Sequence, residues 1–177
     1  MREEETPKPL LPLDTVVQTA TAVLLRDGYH VPTLIAEGER QSIVTQLKPL
    51  AATSEGRAQQ LYALGAILAE TGELGVLQQV FFITEAWLSL ATSEHPPHFP
   101  PSEDPQRTEI LVVSRMGMQP PQTEVVIFEM QRNKQGTLVS LESLDKQIPP
   151  EQPGSAESPL LIAFAIGFLA RWRDEEE

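Results

Sequence analysis

The stretch Val80-Phe81-Phe82-Ile83-Thr84-Glu85-Ala86-Trp87-Leu88 sets a carboxylate inside what its apolar and β-branched neighbours mark as a buried strand. A buried Glu is costly unless it is paired or hydrogen-bonded, so a chain built this way must bring a partner from a neighbouring element. The nearest supply is Asp104-Pro105-Gln106-Arg107-Thr108-Glu109, which leads into the next apolar strand. If the two strands are antiparallel neighbours, Glu85 falls near Arg107 or Glu109 across the ladder. A Glu85–Arg107 pair would neutralise the charge and fix the register. The alternative makes Glu85 and Glu109 converging carboxylates that act as general acid and base. Structural ion pairs in sheets are commoner than catalytic carboxylate pairs, so the structural reading leads.

A chain of 177 residues with 41% hydrophobic content suits one domain able to bury about 70% of its unfolded surface. Thirteen basic against 25 acidic residues give a net charge of −12, which disfavours nucleic acid and anionic membranes as partners. No cysteine is present, so disulfides, thiolate metal sites and a Cys nucleophile drop out together. Met1-Arg2-Glu3-Glu4-Glu5 lacks the pattern of a secretory signal. The longest apolar run, Leu160 to Ala170, holds 11 residues, against the roughly 20 a bilayer span needs. A soluble, cytoplasmic protein is expected.

Residues 1–12 read as a flexible arm, 13–173 as a single domain and 174–177 as an acidic tail. Asp14 is expected to cap a first helix ended by Gly28, with Val16, Val17, Ala20, Val23 and Leu24 on one face. Residues 30–37 and 42–48 read as a hairpin, with Pro32 at a sheet edge or near the start of its strand. A second helix spans about 54–70, closed by Gly72, and its mid-helix Gly65 implies close packing against a neighbour. A long strand over about 76–90 precedes a proline-rich loop, and strands over 107–115, 123–132 and 137–144 suggest a meander. Ser158-Pro159 starts a last helix over 159–173, apolar nearly all round. The order α-β-β-α-β-β-β-β-α predicts an α+β fold: a mostly antiparallel sheet of five to six strands with three helices packed mainly on one face.

Glu85-Ala86-Trp87 followed by Pro101-Ser102-Glu103-Asp104-Pro105-Gln106-Arg107-Thr108-Glu109 resembles a pattern in uncharacterised prokaryotic proteins, over roughly residues 28–145. The resemblance implies a prokaryotic domain without a known activity, and it adds weight to Glu85, Trp87, Asp104, Arg107 and Glu109.

His95-Pro96-Pro97-His98 with Asp104 nearby offers imidazole and carboxylate ligands for Zn²⁺. Two histidines in a proline loop are more often just solvated, so no metal and no cofactor are expected. Nucleophile-elbow, dinucleotide-binding and phosphate-loop motifs are missing from the sequence. Most aromatic residues belong to the core, whereas Phe164, Phe168 and Trp172 on the last helix are candidates for a homodimer contact. The leading expectation is a domain acting by protein–protein contact as a small homo-oligomer. The alternatives are a carboxylate- or metal-dependent hydrolase using Glu85, Asp104 and Glu109, and a small-ligand binder with a pocket near Trp87 under helix 54–70.

Overall fold

The structure, a computed structural model, describes residues 8–89, 103–144 and 158–174, with the side chains of the last helix described as far as Arg171. Its elements are α1 (Leu13–Asp27), β1 (Thr33–Gly38), β2 (Ser42–Gln46), α2 (Ser54–Thr71), β3 (Leu77–Leu88), β4 (Thr108–Met118), β5 (Pro121–Arg132), β6 (Leu138–Ser143) and α3 (Pro159–Asp174). The six strands form one sheet in the order β2-β1-β3-β4-β5-β6, and every neighbouring pair is antiparallel. The α+β architecture and the order of elements match the sequence-based expectation.

Strand alternation sorts the sheet into two faces. Leu34, Ala36, Val80 and Phe82 point to one face and pack with Leu61 and Leu68 of α2 and Leu161, Phe164 and Phe168 of α3. Phe81, Ile83, Leu111, Val113 and Met130 point to the other and meet Val16, Ala20 and Leu24 of α1. Two helices therefore share one face, and α1 has the opposite face to itself.

Helix ends follow local chemistry. Gly28 (φ 79°) and Gly72 (φ 64°) end α1 and α2 in the left-handed conformation, where a Cβ is unfavourable. Thr53 caps α2 by accepting the Gly56 N–H at 3.0 Å. Asp14 does not cap α1. The capping position is Pro12, and Asp14 lies in the first turn, where its charge still complements the helix dipole. Proline stands at the first helical position of α3, as expected.

Gly65 and Gly167 let α2 and α3 touch backbone to backbone. A Cβ on Gly65 would stand 2.2 Å from the Phe164 carbonyl oxygen, and one on Gly167 would stand 2.1 Å from that of Tyr62. This crossing draws Phe164 and Phe168 inward, to 0% and 1% exposure. Both are core residues, so neither forms the dimer surface expected of them. The third residue of that set, Trp172, has its side chain outside the described residues.

Pro32 precedes the first residue of β1, which is an interior strand. β4 and β5 run further than 115 and back beyond 123, because Gln119-Pro120 makes a two-residue connection and Pro121 stands at a strand start, where no ladder donor is needed. Among the described residues, no helix is long and apolar enough to cross a membrane.

Candidate functional site

The α1 face of the sheet carries two polar clusters, one beyond each end of the helix, and an open groove along its flank.

The first cluster contains Glu85. In the β3–β4 register Glu85 lies opposite Leu111 and Trp87 opposite Glu109. The guanidinium that pairs with Glu109 belongs to Arg132, on β5. Arg132 donates from Nε and Nη2 to the two oxygens of Glu109 at 2.7 and 2.8 Å. It also reaches the carbonyls of Gly28 and Gly136, both at 3.2 Å. The hydrogen bond to Glu109 is the main cause of a raised Arg132 pKa. Attraction to Glu109 and then Glu85 adds to it, against desolvation. Half-buried Glu85 accepts the main-chain N–H of His30.

Arg107 is therefore not the partner of Glu85. It lies exposed over the Trp87 ring, 4.5 Å from the centroid, and its Nη1 reaches the Asp104 carbonyl at 3.5 Å. Asp104 accepts the Ser89 hydroxyl and, at 2.8 Å, the Gln106 N–H. These two bonds, Ser89 first, hold its carboxyl below the usual carboxylate range, with a smaller effect from Arg107. Asp104 and Arg107 thus organise the turn into β4 and do not join Glu85 and Glu109. Trp87 shares the strand face of Phe81 and Ile83, opposite to α2, so among the described residues it does not face helix 54–70.

The candidate metal ligands His95 and His98 lie outside the described residues. Among the described residues, no group of three or more His, Cys, Asp or Glu side chains could hold a metal ion.

The second cluster escaped the sequence reading. Glu37 is 1% exposed, and beside it Gln79 is 0% exposed. Glu37 accepts the Leu11 N–H and the Ser42 hydroxyl, each at 3.0 Å, and the Gln79 amide. Gln79 donates to the Leu11 carbonyl at 2.9 Å and accepts Arg115 Nε at 2.7 Å, and Arg115 goes on to Glu124. A polar chain thus crosses β1, β3, β4 and β5. It also fastens the segment just before α1, within the stretch expected to be a free arm. Glu37 and Gln79 face each other across β1 and β3, a pairing set by the register of two strands that β2 and α2 separate in the chain.

Both clusters serve the same end. One binds Leu11 ahead of α1, the other binds Gly28 and His30 behind it, and their hydrogen-bonding groups are spent on main chain and on each other.

The groove is different. α1 makes its closest approach to β4 and β6, which leaves β2, at the far side of β1, open on this face, with Val44 64% exposed. The result is an open groove of about 660 Å³ between α1 and the β1–β2 hairpin. Val16, Ala20, Val23, Ile35, Val44 and Ile83 supply its apolar walls. Arg26, Asp27, His30, Gln46 and Lys48 gather at the end where α1 stops and β1 starts. Arg26 and Asp27 form an exposed ion pair at 2.7 Å, whose hydrogen bond raises the Arg26 pKa and lowers that of Asp27. Small ligands are commonly held in such concave, mostly apolar volumes of roughly 300–1,000 Å³ with a few polar groups.

No family model, curated protein or solved structure matches this chain.

Proposed function

We propose that this protein is a binding domain whose ligand lies in the groove between α1 and the β1–β2 hairpin. The observation that carries this reading is a large open volume with apolar walls and one polar end. The carboxylates that would serve a hydrolase have other tasks: both oxygens of Glu109 hold Arg132, and Glu85 holds the His30 N–H. A domain that acts by contact, rather than by chemistry, fits that allocation.

The test uses 8-anilinonaphthalene-1-sulfonate, an apolar anion that fluoresces when it leaves water. The folded full chain is expected to bind it, and Thr19→Trp, which fills the groove from the exposed side of α1, is expected to abolish binding. Dye binding that survives Thr19→Trp and is lost in Ile166→Glu would move the site to the other face and end this reading.

A second reading has its own observation. Tyr62, Ile166 and Leu169 are 44%, 54% and 39% exposed on the outer surface of α2 and α3, where Ala58, Tyr62, Ala163 and Ile166 line a shallow depression. A small cytoplasmic homo-oligomer would bury them. Light scattering over a concentration series tests this: a dimer mass reduced to that of a monomer by Ile166→Glu supports it, and a monomer mass throughout removes it.

A further inference from the structure

The wall of the groove opposite α1 ends at β2, an edge strand among the described residues, and the hydrogen-bond phase of that edge follows from its bonds to β1. In the β1–β2 pair, the Leu47 N–H donates to the Pro32 carbonyl at 2.8 Å and the Gly38 N–H donates to the Gln41 carbonyl at 2.9 Å. Both pairs keep the register Thr33↔Gln46 through Glu37↔Ser42. Antiparallel pairs alternate between bonded and non-bonded positions, so Ile43 and Thr45 spend their main-chain groups on β1. The N–H and C=O of Ser42, Val44 and Gln46 therefore point away from the sheet, and among the described residues β2 has no further strand beside it. Val44 pairs with Ile35, lines the groove and is 64% exposed. The residues with outward main-chain groups thus place their side chains on the groove face.

We infer that the occupant is an extended peptide segment that adds to the sheet as a strand beside β2. This deepens the groove reading and rests on it. Outward N–H and C=O groups at strand spacing are matched along their length by another extended main chain, whereas a compact ligand would leave most of them to water. The added strand would bring every second side chain to the groove face, next to Val44, where an apolar side chain reaches over into the groove. Charge favours an acidic segment. Lys8 donates to the Ser42 hydroxyl at one end of the edge, and Lys48 follows its other end. Behind Ser42 the buried Glu37 carboxylate offsets Lys8, so on a chain of net charge −12 the attraction for an acidic segment comes chiefly from Lys48.

The probe is a random library of ten-residue linear peptides panned on the full chain, followed by synthesis of the enriched sequence. Val44→Pro removes one outward N–H while leaving the bonds to β1, and proline is tolerated on an edge strand when its nitrogen faces outward. Binding is expected to weaken at least tenfold in Val44→Pro and by severalfold in Lys48→Glu. To guard against misfolding, the same peptide N-methylated at the residue facing Val44 is tested on the unaltered protein and should also lose at least tenfold. Slowed exchange of the Val44 and Gln46 amide protons should accompany binding. A library without enrichment, or a peptide indifferent to both Val44→Pro and N-methylation, overturns the inference. If such a peptide, or the anilinonaphthalene dye, is still lost in Thr19→Trp, the groove reading stands and only strand addition fails. If Thr19→Trp changes nothing, both fail.

Discussion

Arg132 grips Glu109 through two parallel hydrogen bonds of 2.7 and 2.8 Å, and the same guanidinium reaches the Gly28 carbonyl just past the end of α1. One side chain on β5 thus joins the middle of the sheet to the helix that crosses it. Replacing Arg132 with Ala leaves Glu109 without its cation and Gly28 without a donor, in a site where both ionic side chains are about one-quarter exposed. A loss of about 2 kcal/mol is expected, measured by urea denaturation. Arg107→Ala, which removes an exposed stacking contact on Trp87, should cost well under 1 kcal/mol.

Glu37 makes the strongest demand on its surroundings. Glu37→Ala abandons the Leu11 N–H, the Ser42 hydroxyl and the Gln79 amide together. The expected loss is about 3 kcal/mol, with the Leu11 amide exchanging faster than amides in the middle of α1. An equal rise across the whole helix would contradict the anchoring role.

The crossing of α2 and α3 has no room for a methyl group. Gly65→Ala raises intrinsic helix propensity by about 1 kcal/mol, yet the new Cβ would stand 2.2 Å from a carbonyl oxygen of α3. Overpacking of this kind costs about 1–3 kcal/mol, so a lower melting temperature is expected despite the better helix former.

Asp104 supplies a pH test. Its carboxyl is held below the usual range by Ser89 first and by the Gln106 N–H next. A depressed folded-state pKa means that this turn is favoured above the unfolded value of about 3.9 and that the advantage disappears as pH falls through the folded value. Ser89→Ala should move the Asp104 titration upward, as read by carboxyl carbon shifts in NMR. An unmoved midpoint would remove Ser89 as the cause.

Much of the fold was legible from local pattern. Helical periodicity and the positions of Gly28, Gly65, Gly72 and Pro159 mark three helices, and strand-length apolar runs mark the sheet. The polar partners were harder, because they depend on register carried over more than one strand. Met118 pairs with Pro121 around Gln119-Pro120, which places Glu109 opposite Met130 and makes Arg132 its diagonal neighbour. Reading only the adjacent strand offered Arg107 instead. Glu37 was overlooked because it closes an apolar strand, where a carboxylate resembles a solvated end. The groove could not be seen at all: it exists because α1 lies on the face opposite to α2 and α3 and rests over β4 and β6, a placement that no local pattern encodes.

The most direct test of the groove as a binding site is to map where the anilinonaphthalene dye sits, by nuclear Overhauser effects to assigned methyl groups. Contacts to Val16, Val23, Ile35 and Val44 are predicted. Contacts confined to Ile166 and Leu169, with those four valine and isoleucine side chains silent, would contradict it.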